Sequence, residues 1–401
     1  MRIFSCAIFS AGAHHIIGKS FRFAGSESLD RGGRVSGIRL FSRCDFECDD
    51  VSEMPKSRSK GTRKFVGFPE SILKSRFEQF DQRVSDVPPE IRSIKDVHLE
   101  PLVVKGQGQF TGGAYCRGEF LAELSLRRGW RARETQHVTG TGAIHKPESK
   151  LETAWFGGIL HRHFGHFLLE TLARVQSREV VRSAEPIIFF NPFGLSRLKP
   201  FMEGVFHHLG ISIDRISFCS TPLDIGILQV QKPTFQLNGF VNVSSRSILK
   251  QAARAVPPRS GIIYLSRSKA KLPRRVLEEE QLEKQLEASA LAQVTYPERL
   301  SFAEQVACLR KSALVTGCEG SAFHTLMFVD GTRTSVMFCP NVPNLSFVLC
   351  DELIDGDAIY VHCGLDHDCR LGPSPRITPW ALDVQRAVDL IGRISRSTQL
   401  Q

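Results

Sequence analysis

The chain has 401 residues, room for two or three folded units, and its 42% hydrophobic and 23% charged residues are those of a globular protein, not a disordered, collagenous or disulfide-knotted one. No apolar run approaches the ~18 residues that a spanning helix needs. Lys and Arg number 52 against 42 Asp and Glu, a formal charge of +10 that favours anionic partners such as phosphorylated metabolites, acidic glycans, nucleic acid or an acidic membrane surface.

In chain order, Arg2, the short apolar stretch Ile3 to Phe9 and an Ala11-x-Ala13 pattern are too brief for a secretory signal. Residues 1–60, rich in Ser, Arg and Gly with mixed charge, read as a poorly ordered leader. The 11 cysteines form no C-x-x-C pair, so they read as reduced thiols and point to the cytoplasm. Ordered structure is expected from near Phe65, with Pro88 and Pro89 marking a turn.

Residues 61–240 read as a first α/β domain. A helical run over His166 to Arg182 is followed by an apolar strand at Ile187 to Phe190, a helix closing at Gly210 and a strand at Ile225 to Val230. Residues 241–375 repeat the cycle more regularly: strand Gly261 to Leu265, helix Glu278 to Leu291, strand Ala292 to Thr295, helix Ser301 to Lys311 and strand Ala313 to Thr316. A glycine turn, Gly317 to Ala322, then leads into another helix. Ser301 and Glu304 form a capping box. Trp380 to Arg396 reads as an amphipathic helix in a final segment, 376–401, that packs back on the first half.

Three clusters carry chemistry. In HRHFGHFLLETLARV, His166, Glu170 and Arg174 recur at i, i+4 and i+8, the spacing for a general base, its orienting carboxylate and a cation on one helix face; a solvated row of helical ion pairs has the same spacing. His161, His163, His166 and Glu170 are also metal-type ligands, but their spacing does not reproduce a zinc motif, and no metal is expected. In GCEGSAFHTLMF, Gly317, Gly320 and Ser321 lie at a strand-to-helix junction suited to phosphate, although Glu319 would repel it and suits a sugar hydroxyl or an Arg. In YLSRSKAKLPRR, Ser266, Arg267, Lys269, Lys271, Arg274 and Arg275 follow a strand end, where open α/β sheets bind ligands. His362, Cys363, His367 and Cys369 in HCGLDHDC match no zinc spacing and read as a turn.

The run from strand-SR through RRVLEEE to YPERLSFAEQVACLRKSALVTGCEGSAFHTLMF resembles the C-terminal half of glycosyltransferase family 61, which includes capsular polysaccharide enzymes and plant and animal xylosyl- and N-acetylglucosaminyltransferases. HFGHFLLETLARV is similar to that family's N-terminal helix signature, and the likeness spans roughly Trp155 to Phe328. Matched residue by residue, it implies substrate contacts at Ser266, Arg267, Arg275, Glu279, Glu298, Ser301, Gln305, Gly317 and Gly320, with Pro297 and Glu304 in the same pattern, and the turn at Gly320 and Ser321 is read with Arg267 and Arg275 as the holder of the leaving diphosphate. Glu278, Cys318, Glu319, Ser321 and Thr325 stand where the family pattern has Asn, Pro, His, Ala and Asn.

The resemblance implies a GT-B architecture: two Rossmann-like halves face across a cleft, nucleotide-sugar on the C-terminal half and acceptor on the first. It implies inversion without a metal or other cofactor. Residues and resemblance together give a transferase in which His166, supported by Glu170, deprotonates an acceptor hydroxyl, with Glu170 itself or Glu319 as the rival base. Arg174 and Arg267 supply positive charge. The expected partners are a nucleotide-sugar, read as a UDP-sugar, and a glycan acceptor in capsular or exopolysaccharide assembly, at the inner face of the membrane; no nucleic-acid motif is present. A non-catalytic nucleotide or glycan binder on the same fold is the alternative.

Overall fold

The computed structural model describes residues 51–106, 108–141, 143–250, 259–270, 276–363 and 380–399, with side chains as far as 396, all within one compact unit, Leu40–Gln401. Two sheets organise it. In the first, the spatial order is Ile216–Cys219, Ile187–Phe190, Ser149–Ile159, Leu223–Gln231, Ile91–Gly106, Gln109–Cys116 and Glu119–Phe120, with Val138–Thr139 beside Gln109–Cys116. Its first four strands are parallel neighbours and the next three pair antiparallel, so only this parallel part shows the α/β alternation legible in sequence.

The second sheet runs Val51–Pro55, Thr62–Val66, Ala358–His362, Thr334–Cys339, Leu314–Cys318, Ile262–Leu265 and Gln293–Thr295. Every neighbouring pair is parallel except the first. The wholly buried strand Ile262–Leu265 accordingly reads IIYL, apolar on both faces, as parallel strands covered on both sides do.

The domain expectation needs two corrections here. Residues 51–60 are not all leader, and the segment after 61 does not begin the first half, because Val51–Pro55 and Thr62–Val66 complete the second sheet. Their anchor is Arg63, fully buried, which pairs with Asp351 at 3.2 Å and with Glu352. Lys56 donates to the Ile354 carbonyl at 2.9 Å. Arg63→Ala would strand two buried carboxylates, so it is expected to cost roughly 3–5 kcal/mol, read as a lowered denaturant midpoint.

Also corrected is the last helix, Val384–Gln399, which does not cross the first half. Its Val384, Ala387, Leu390, Ile391 and Ile394 fill a core with Leu282 and Leu286 of helix Glu279–Ala288 on the outer face of the second sheet. A separate, larger apolar core runs from Trp155, Ile187 and Phe189 of the first sheet, through Phe167, Phe206, Phe302 and Phe328 on intervening helices, to Ile263, Val315 and Met337 of the second. The two sheets therefore share a helical layer. Among the described residues no helix is long and apolar enough to cross a membrane.

The second-half elements follow the sequence closely. Phe302–Lys311 starts at Ser301 with both capping-box bonds formed. Helix Glu279–Ala288 begins one residue late because Glu278 takes a left-handed conformation, φ 63°. The expected long helix over His166–Arg182 is instead broken. A turn Phe164–His166 passes into a π-helical segment, Phe167–Thr171, then a 3₁₀ turn, Leu172–Arg174, before a new helix, Arg178–Arg182, capped by Ser177. Thr171 is the local cause: its hydroxyl accepts from the His161 N–H at 2.9 Å and donates to the Ile159 carbonyl at 2.8 Å, tying the turn to the end of its strand.

Candidate active site

The widened turn of a π-segment often marks a functional position, and here it presents Glu170. The Glu170 side chain is only 2% exposed. Arg128, on the short strand Arg127–Arg128, grips it with a two-pronged fork: Nε donates to Oε1 at 2.7 Å and Nη2 to Oε2 at 2.9 Å. His166 Nδ1 lies 2.6 Å from Oε2. Burial by itself would raise this carboxyl, but the hydrogen bonds to His166 and Arg128 hold it at about 2. It is therefore an anion at any working pH, so the hydrogen bond between them is one that His166 Nδ1–H donates. The His166 side chain is 41% exposed, whereas its orienting carboxylate is sealed.

His161 stacks on His166 with ring centroids 5.5 Å apart, and its Nε2 lies 3.6 Å from Glu170. Burial pushes His161 down to about 4, so it is a neutral ring beside the pair. His161, His166 and Glu170 form the group among the described residues that could hold a metal ion, their ligand atoms lying within 4.8 Å of one another. Both Glu170 oxygens already accept from a guanidinium, however, and a divalent cation there would face the Arg128 charge.

Arg174 does not join this face. The π and 3₁₀ turns rotate it away, and its buried guanidinium donates to the Gln231 carbonyl at 3.3 Å and the Glu123 carbonyl at 3.5 Å and lies 5.3 Å from the Phe156 ring. Burial lowers it to about 10, still a cation at neutral pH. With His161 and Glu170 it borders a cavity of 410 Å³, floored by Phe156, Phe190 and Phe235.

The His166 turn meets the second half directly. A Cβ on Gly165 would lie 2.9 Å from the Ser321 Cβ, closer than side chains tolerate, so glycine permits the approach. Ser321 opens the 3₁₀ helix Ser321–Phe328 after the Gly317–Ser321 bend. At Gly317 a Cβ would meet the Leu265 carbonyl at 2.7 Å, which makes strand packing the reason for that glycine. Arg267 Nη1 donates to the Glu319 carbonyl, and its guanidinium lies beside Gly320. Gly165, next to His166, thus meets Ser321, two residues from the Glu319 carbonyl that Arg267 holds. Glu319 is half-buried, its backbone N–H bonded to the Phe338 carbonyl at 2.9 Å.

Beneath Arg267, Glu279 accepts from its backbone N–H at 3.1 Å and from the Tyr264 hydroxyl at 3.2 Å. Burial raises Glu279 to about 7, offset in part by Arg267. Because the folded value exceeds the unfolded one, near 4.5, stability from this group is full below pH 4.5 and is lost as pH rises through about 7. Glu279→Gln is expected to flatten that segment of the stability–pH profile, measured by urea midpoints between pH 4.5 and 8.

The other sequence candidates have internal tasks. Ser266 donates to Glu283, Ser301 caps its helix, and Gln305 Nε2 donates to the Pro297 carbonyl at 3.0 Å while its Oε1 accepts from Thr325 at 3.3 Å. Glu298 is exposed on the turn Pro297–Arg299. Lys271, Arg274, Arg275, His367 and Cys369 lie outside the described residues. His362 and Cys363 are buried and bond to backbone at Pro340 and Asp383. Sequence reasoning missed Arg128, whose one signal was a basic and aromatic run, RRGWRARE.

An enzyme site built this way, a buried ionised carboxylate orienting an exposed imidazole against a glycine bend and an arginine, suits group transfer to a hydroxyl. The family model of glycosyltransferase 61 matches residues 164–337, which include both the His166 turn and the Gly317–Ser321 bend. Over those residues the chain is similar to glycosyltransferase family 61. No curated protein matches the chain in sequence.

Proposed function

We propose that the protein is an inverting, metal-independent glycosyltransferase that moves a sugar from a nucleotide-sugar, read as a UDP-sugar, to a glycan hydroxyl in capsular or exopolysaccharide assembly at the inner face of the membrane. The two sheets are read as GT-B-type halves, donor on the second and acceptor on the first. One observation carries the reading: His166 Nδ1 sits 2.6 Å from a carboxylate that Arg128 holds ionised, on a turn that packs against Ser321.

In the step itself the acceptor O–H bond breaks and its proton passes to His166 Nε2. The new oxygen–carbon bond forms on one face of the anomeric carbon while the bond to the diphosphate breaks on the other. The departing electron pair stays on the diphosphate, where Arg267 and the backbone at Gly320 and Ser321 meet the charge. Glu170 orients His166 and stabilises the imidazolium it becomes.

The test is a thermal-shift and slow-hydrolysis screen over nucleotide-sugars, with and without chelator. Stabilisation by one nucleotide diphosphate is expected, lost in Arg267→Ala and indifferent to chelator. A protein that responds to no nucleotide would overturn the transfer reading, and activity that vanishes with chelator would overturn metal independence.

A further inference from the structure

Two residues beyond Arg128, roughly 7 Å along the chain, the same hairpin presents Trp130 amid arginines. The Arg83 and Arg131 guanidinium carbons lie 5.5 and 5.7 Å from the Trp130 ring centroid. Arg76 and Arg133 are near enough to act on the same positive field: after burial, Arg131, Arg76 and Arg133 are what lower the proton affinity of Arg83. None of these four arginines forms an ion pair with a carboxylate among the described residues.

Their donors go to neutral acceptors or to none. Arg131 binds Gln79 Oε1 at 2.8 Å and Gln82; Arg83 binds the carbonyls of Asn238 at 3.1 Å and Gly239 at 3.4 Å. The acid on the hairpin, Glu134, is already taken by Arg127 at 3.0 Å and Gln236 at 2.8 Å. Arg83 Nε and Trp130 Nε1 are buried without a partner. The backbone is held to match: Gln79, Arg131 and Asn238 all sit in the left-handed region, at φ 56°, 52° and 53°, where non-glycine residues stay only when their surroundings enforce it. Gathering Arg76, Arg131 and Arg133 within electrostatic reach of Arg83 costs stability, and an anion would offset the cost.

We propose that this surface is a subsite for acidic sugar residues of the acceptor. Arginine forks match carboxylate, sulfate and phosphate groups, and the half-buried indole gives the flat apolar area on which a sugar ring stacks. The position is on the acceptor side: the hairpin hands Arg128 directly to Glu170, the carboxylate that also meets His166, and Arg127 and Glu134 border the 410 Å³ cavity. A chain bound across Trp130 leads toward the base. The inference rests on the proposed transfer reaction and names the chemical class of its acceptor.

The test is calorimetric titration of the full chain with a galacturonic acid tetramer, a sulfated glycosaminoglycan tetramer, a neutral glucose tetramer and an oligothymidylate of equal charge. Both acidic glycans are expected to bind more tightly than the neutral one, with affinity falling as salt rises; the tighter of the two identifies the acid group. Arg76→Gln/Arg133→Gln, at two exposed positions, and Trp130→Phe should each weaken acidic-glycan binding at least tenfold with melting temperature retained. Equal binding of acidic and neutral tetramers, unchanged binding by the folded double variant, or oligothymidylate binding as tight as the acidic glycans would overturn the proposal. The nucleotide thermal shift separates the two readings. A nucleotide response without acidic-glycan binding sinks the subsite alone, and acidic-glycan binding without any nucleotide response sinks the transfer reaction.

Discussion

Replacing His166 with alanine is expected to slow sugar transfer by roughly 10²–10⁴-fold, the usual worth of a positioned general base, and to leave melting temperature and nucleotide binding near those of the parent. The side chain is 41% exposed and its removal opens no buried cavity, so the loss should fall on the chemical step. Single-turnover transfer assays beside nucleotide titrations check it. If Glu170 were itself the base, His166→Ala would retain most of its activity while Glu170→Gln would not. That outcome is disfavoured because both Glu170 oxygens already accept from Arg128, one also meets His166, and the side chain is only 2% exposed. A surviving rate in His166→Ala together with collapse in Glu319→Gln would instead move the base to Glu319.

Removing Arg128 is expected to have the largest structural effect at the site. Glu170, at 2% exposure, would keep its charge with His166 as its remaining hydrogen-bonded partner, and breaking such a buried pair costs roughly 3–5 kcal/mol. The sign with pH follows from the depressed carboxyl. In the parent, Glu170 contributes stability above its unfolded value, near 4.5, and loses it as pH falls toward about 2. In Arg128→Ala burial dominates and the carboxyl rises, so acid unfolding should begin at a higher pH. Urea midpoints from pH 2.5 to 7 measure this. Arg128→Lys should recover part of the stability but less of the activity, because an ammonium keeps the charge and loses the fork. An acid limb identical to the parent's would mean that Arg128 does not set the state of Glu170.

What was legible in the sequence was what is local. The Ser301–Glu304 capping box, the IIFF and IIYL strands and the i, i+4 pairing of His166 with Glu170 each depend on residues within one element, and each formed. The third member of that periodic row failed because a constant helical period was assumed where Thr171 ties the turn back to its strand and widens it. Arg128 was invisible because its partner is 42 residues away, and nothing in RRGWRARE distinguishes a carboxylate clamp from a solvated basic turn. Residues 51–66 were misjudged for a related reason. Their charges looked like those of a leader, yet Arg63 meets Asp351 and Glu352 almost 290 positions later, and polar residues so paired can be interior ones. The final helix showed its apolar stripe plainly, but a stripe does not say which of two sheets will cover it.

The continuous apolar layer between the sheets bears on how substrates come and go. Swinging one half away from the other, the familiar way for paired lobes to admit and discharge their cargo, would pull Phe167, Phe206, Phe302 and Phe328 apart and wet them. A hinge is poorly served by such a seam. Access is left to the rim, where the imidazole is reached from solvent, and the spacing between that imidazole and the glycine bend is set by packing instead of by a ligand's arrival.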